Sequence, residues 1–176
     1  MVKPIGSAIG AVAGLAFIWF NAGVVPATLF LRIAAAIWFI AVMWFVVIRG
    51  PRILQAPPSR SALRTYGISV TAMLLAIPLG AQVITNISNA PEAVLIWVTF
   101  VVGVHFIPFA SAFSLPVFYW LAGGMIAIAA GGAVFALVSD SVLAAGWAAV
   151  AAGFVLLFFS TIGPRIGQKD AAGPDI

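Results

Sequence analysis

His105 is the only histidine in this 176-residue chain, and it lies within the uncharged run 93–139. An ionisable side chain inside an apolar span is by default a functional candidate, and imidazole titrates near neutrality. Three residues on, Pro108 has no N–H to give the carbonyl of Val104, which opens one helical turn beside the ring. A proton carrier next to an opened turn suits a gate or a relay. The competing reading is a neutral histidine bonded to a backbone carbonyl or to Tyr119. A lone histidine makes no metal site, and the chain offers no cysteine, second histidine or carboxylate cluster as co-ligands.

Two further groups carry polar chemistry. Gln82, Asn86 and Asn89 fall at i, i+4 and i+7, on one helical face, with Thr85 and Ser88 nearby. They would line an outward vestibule or bind a polar ligand, or they would hold their helix to its neighbours by side-chain hydrogen bonds. Arg32 falls about six residues into its helix, where its stem can snorkel to headgroups. Glu92 and Asp140 fall at similar depth elsewhere, so an Arg32–Glu92 pair clamping the second and fourth helices is expected, against the alternative of an unpaired snorkelling arginine. Hydrolysis needs a nucleophile with a base, a metal or paired carboxylates, and no such arrangement is legible. No phosphate loop or dinucleotide fingerprint is present, and the Gly-Gly pairs fall inside apolar helix. No cofactor is implied, and an enzyme is the least favoured class.

The elements that must position these residues follow from hydropathy. Charged residues make up 7% of the chain and hydrophobic ones 64%. A run of about 18 apolar residues is a candidate transmembrane helix, and dividing the uncharged runs predicts six, near 5–22, 27–48, 66–87, 92–109, 117–138 and 142–162. The expected fold is all-α, a polytopic six-helix transmembrane bundle over 1–167, with 168–176 as a flexible cytoplasmic tail. A β-barrel is disfavoured because the apolar runs are continuous and not alternating. The pI near 10.4 does not point to nucleic acid. Lys3, Arg49, Arg52, Arg60, Arg64, Arg165 and Lys169 all collect on one side if both termini are inside, leaving only Arg32 opposite, as the positive-inside rule requires. The arginine loop would also attract anionic headgroups. Lys3 and the apolar run after it could be a signal peptide cut near Ala22 or Ala27. The second helix follows at once, however, and the charge pattern already works with the first helix retained.

Helices in lipid associate through small residues and polar contacts. Gly6, Gly10 and Gly14 form one stripe, read either as intrachain packing or as a homodimer face. Gly123, Ala127 and Gly131 form another, expected to face Ala145, Ala149 and Gly153 in a tight hairpin of the last two helices. Pro26 and Pro116 suit first helical turns, and Pro78 and Pro108 fall inside helices. No inverted repeat is visible. Trp38 and Trp97 fall deep enough to be packing residues.

The segment 102–110 (VGVHFIPFA), followed by Phe113, Pro116, Tyr119 and Gly123, resembles a pattern in small bacterial multi-pass membrane proteins of unknown function. The likeness covers about 22 residues and implies a six-helix protein of a bacterial inner membrane. It draws His105, Pro108, Pro116 and Tyr119 together as one local unit and implies no activity. The leading expectation is a non-catalytic binding or structural bundle whose partners are the lipid bilayer and a second copy or another membrane protein. The alternative is a small permease or channel using His105 and the polar face of the third helix.

Overall fold

A computed structural model describes residues 5–50, 58–87, 90–139 and 142–172. Those residues form six helices long and apolar enough to cross a membrane, with no strand among them. Helix α1 (Ile5–Asn21) ends in a 3-10 turn, Ala22–Val24. Helix α2 (Thr28–Ala41) runs on as a π-helix, Val42–Ile48. Helix α3 covers Arg60–Asn86. A 3-10 turn, Pro91–Ala93, leads into α4 (Val94–Phe113). Helices α5 (Val117–Ser139) and α6 (Val142–Ala172) complete the chain. Backbone groups in hydrocarbon must bond within their own segment, so continuous apolar runs of this length become helices.

Three helix ends differ from the hydropathy reading, each for a local reason. Helix α3 begins at Arg60 and not near 66, because Ser59 caps it: the Ser59 Oγ accepts from the Ala62 N–H at 3.1 Å. Arg60 and Arg64 therefore lie in helical turns. Helix α4 passes Pro108 and stops at Phe113, where Ser114 turns left-handed (φ 52°) and Leu115 N–H returns to the Ala110 carbonyl at 3.0 Å. Helix α6 continues through Pro164 to Ala172, ten residues beyond the predicted end; residues 173–176 lie outside the described residues. Pro26 precedes α2 in the turn, and Pro116 immediately precedes α5.

Ala27 (φ 62°) and Ser114 are the non-glycine residues with positive φ among those described. A side chain there costs about 1–2 kcal/mol relative to right-handed backbone. Ala27→Gly and Ser114→Gly are each expected to raise the midpoint of thermal unfolding in detergent, by about 1 kcal/mol of stability.

The last helix is the centre of the bundle. Helix α6 packs on α1, α5 and α4 and touches the end of α2. Its buried face is mostly alanine: Ala144, Ala145, Ala148, Ala149 and Ala152 are each 5% exposed or less. Short side chains let four helices approach one. Helix α2 lies at one edge against α1 and α6. Helix α3 lies at the other edge, seated on α4 and on the turn leading into it.

The glycine stripes divide differently from their expected use. A Cβ on Gly14 would stand 2.7 Å from the Gly153 carbonyl oxygen, and Gly10 faces Ser160. The first stripe is therefore spent inside the chain on α6, and a homodimer through it is excluded at Gly10 and Gly14. On α5 the packed face is turned by one residue. Gly132 meets Ala148 and Gly124 approaches Val155, whereas Gly123 and Gly131 have nothing within 4 Å. The registry expected for the hairpin, with Gly123, Ala127 and Gly131 against α6, is corrected accordingly. Gly153 serves α1 and not α5.

Candidate functional site

His105 sits on α4, about 12 Å from that helix's Phe113 end at about 1.5 Å per residue. Its partner comes from α3. Ser69 Oγ lies 2.8 Å from His105 Nδ1 and 3.2 Å from the His105 carbonyl oxygen. A hydroxyl has one hydrogen and a carbonyl only accepts, so both contacts are bonds in one arrangement. Ser69 donates to the His105 carbonyl, and His105 Nδ1–H donates to Ser69. With the ring neutral, that arrangement leaves Nε2 an acceptor lone pair; in the other tautomer Ser69 donates to Nδ1 and Nε2–H is a donor. Nε2 makes no hydrogen bond. Since no buried side-chain nitrogen or oxygen among the described residues lacks a partner, this unbonded nitrogen is not sealed in protein.

His105 lines a groove of about 470 Å³ between α3 and α4, together with Thr65, Ser69, Pro108 and apolar side chains. Ile68, Ala72, Phe100 and Val104 on its walls are exposed, so the groove faces the surroundings of the bundle and not its interior. Trp97 closes one end. Its Nε1–H donates to the Ala76 carbonyl at 3.0 Å, and the indole lies against Gly80, where any Cβ would overlap it. An aromatic cluster joins α3, α4 and α5 nearby. Tyr66 meets Phe109 and Phe113 edge-on at 5.7 and 6.3 Å, and Phe109 contacts Phe118 at 4.6 Å. His105 packs beside Phe106 and Phe109.

The structure thus gathers His105 and Pro108 into one place and separates them from the other candidates. Tyr119 is not the partner of His105; it is exposed on α5, and Ser69 takes the role expected of it. Gln82 and Asn86 are exposed on α3 and make no intrachain hydrogen bond, so they neither join helices of this chain nor line the groove. Asn89 lies outside the described residues, as does Asp140. Ser69 had no sequence signal, because one serine in an apolar helix is indistinguishable from a back-bonded one. Trp97 and Trp38 are packing residues that also bond: Trp38 Nε1–H donates to Thr161 Oγ1 at 3.1 Å, and Thr161 in turn to the Leu157 carbonyl.

The expected Arg32–Glu92 clamp does not form. Helices α2 and α4 occupy different sides of α6, and Arg32 turns to its sequence neighbour α1. Its Nε–H donates to the Trp19 carbonyl at 3.1 Å, and its guanidinium lies 5.5 Å from the Trp19 ring centre. The last carbonyls of a helix lack donors and carry negative partial charge, so a cation one turn into the next helix is a natural cap. Arg32→Ala is expected to lower stability by about 1 kcal/mol, and Glu92→Ala to leave it unchanged. Equal losses in detergent unfolding would restore the clamp.

The Ser69–His105 pair also has the residue types of a nucleophile and its base. A base must accept the hydroxyl proton; the 2.8 Å Ser69–His105 contact runs in that direction in one tautomer and in the reverse direction in the other. No carboxylate among the described residues bonds to Nε2 to orient the ring.

These features define a class: a multi-pass helical membrane protein with a lateral, mostly apolar groove lined by one imidazole. No protein-family model, curated protein or solved structure matches the chain.

Proposed function

We propose that this protein is a non-catalytic, lipid-interacting membrane bundle that takes up, in the α3–α4 groove, a lipophilic molecule carrying a hydrogen-bond donor. The observation that supports it is the His105 imidazole, whose Nε2 makes no hydrogen bond, lining a mostly apolar groove on the flank of the bundle. Ligand pockets of this kind have apolar walls and a few placed polar groups that fix orientation. Binding is preferred to permeation because Gln82 and Asn86 lie off the groove and the groove runs along the flank of the bundle. The location we propose is a bacterial inner membrane, both termini inside, on the strength of the likeness over 102–123 and the arginine distribution.

The test uses decan-1-ol against 1-methoxydecane and decane, read as thermal shift of the detergent-solubilised protein. The alcohol should bind about fivefold more tightly than the ether, as one hydrogen bond of about 1 kcal/mol predicts. His105→Ala should erase that preference. Equal affinities would sink the reading. Solute flux in proteoliposomes that disappears with His105→Ala would replace it with a permease, and labelling of Ser69 by a fluorophosphonate probe would replace it with a hydrolase.

A further inference from the structure

Helix α3 has two opposite faces, and only one has a partner. At about 100° per residue, Ala62, Ser69 and Gly80 share the face that packs on α4. Roughly 180° around lie Gly67, Thr71, Pro78 and Gln82, all exposed. A helix face turned to hydrocarbon should be apolar. This one is not. Thr71 is about 17 Å from the Arg60 end and about 23 Å from the Asn86 end, hence mid-span, and its hydroxyl makes no hydrogen bond. Three other helix hydroxyls behave differently: those of Thr99, Ser160 and Thr161 each bond back to a carbonyl four residues earlier. Pro78, having no N–H, leaves the carbonyl of Leu74 without its helical donor, and Leu74 is 61% exposed on the same side. One turn beneath Thr71, Gly67 has nothing within 4 Å.

A free donor, a free acceptor and a bare backbone therefore stand within two turns of each other on a lipid-facing surface. Acyl chains supply no hydrogen bonds. We propose that this face is covered by α3 of a second copy of this chain, related by a two-fold axis along the membrane normal. The pattern is self-complementary. In an isologous contact each group meets its counterpart reciprocally, so the Thr71 hydroxyls of the two copies stand at the same height and bond each other. Gly67 lets the backbones approach, and the Gln82 amides, each both donor and acceptor, face one another toward the far end. Arg60 and Arg64 gather at the basic end, where anionic headgroups can separate them. The exposed Gly123–Ala127–Gly131 stripe of α5 is a competing smooth face, but its polar side chains, Tyr119 and Trp120, stand in the first turn of the helix and not at mid-span. This inference is independent of the groove.

The test is association of the full chain, labelled for energy transfer, in vesicles of phosphatidylethanolamine and phosphatidylglycerol over a range of protein-to-lipid ratios. Wild type should dimerise. Gly67→Leu, which meets nothing in the monomer, and Thr71→Val should each weaken dimerisation at least tenfold, Thr71→Ser should retain it, and Gly131→Leu should leave it unchanged. Thermal unfolding of each variant in detergent verifies that the monomer is intact. A wild type that stays monomeric throughout, wild-type association by both Gly67→Leu and Thr71→Val, or a dimer lost only with Gly131→Leu would each overturn the proposal.

Discussion

Gly153→Leu is expected to abolish native packing between α1 and α6, and to be the most damaging single substitution in the protein. Even a Cβ at this position would lie 2.6 Å from Ile18 Cγ1 and 2.7 Å from the Gly14 carbonyl oxygen. The second of these is backbone and cannot rotate away. Overpacking a core costs about 1–3 kcal/mol when side chains can shift, and here the helices themselves must part, so the loss should exceed about 3 kcal/mol. The damage spreads because Ile18, fully buried, belongs to the cluster that joins α1, α2 and α6 through Val42, Val150 and Leu157. The measurement is recovery of monodisperse protein from detergent together with its unfolding midpoint. Gly163→Leu, at a position on the same helix with nothing within 4 Å, is the control and should behave as wild type. A well-folded Gly153→Leu protein would show that the α1–α6 contact is looser than its geometry.

Trp97→Ala is expected to loosen α3 from α4 with little effect on the remaining helices. The indole spans the interface, bonding the Ala76 carbonyl and filling the space that Gly80 leaves open. Removing a fully buried aromatic costs about 3–5 kcal/mol, and Trp97 is half-buried, so its loss should fall below that range. Because α3 is seated on α4 and its leading turn, that loss should appear as local detachment and not as global unfolding. The chain has no cysteine, so single cysteines report without background. Ser69→Cys should be slow to react with a maleimide in wild type and at least tenfold faster with Trp97→Ala added. A double-mutant cycle sharpens the test. Gly80→Ala should be destabilising alone, since its methyl overlaps the indole, and nearly neutral in the Trp97→Ala background. Strict additivity would mean that the two residues do not share the contact.

Both expectations come from the same design. Helix α6 is lined by alanine, and its neighbours approach it through glycine, so the interior of the bundle is tight and leaves its polar groups to one another. The edges differ. Helix α2 is held through α1, and Arg32 ties its first turns to the end of that helix. Helix α3 is held by α4 through a serine–histidine contact and a tryptophan clasp, and it turns its opposite face outward. The groove and the unpaired polar face both belong to this outlying helix.

Much of this was present in the residue string. Six spans, their order and their approximate limits follow from the lengths of uncharged runs, because burial of backbone in hydrocarbon leaves helix as the one local solution for each run. The interest of His105 and Pro108 was also legible, since each is anomalous in its own segment. Their partners were not. Nothing in 60–86 marks Ser69 as the residue that reaches across to α4, and Tyr119, nearer in sequence and chemically apt, faces away. The same holds for Arg32, whose carbonyl cap lies 13 positions back, whereas charge alone pointed to Glu92.

The string of residues determined membrane solvation, helix number and the positions of chemically unusual side chains, because those depend on each segment's own transfer from water. Only the tertiary structure decided which helix is central, which glycines are spent inside, and which polar groups meet. In lipid the inward and outward faces of a helix are both largely apolar, so hydropathy carries little imprint of which face is inward. That choice rests on ångström-scale fit between helices, as where Gly14 meets Gly153, and it exists only once they are packed.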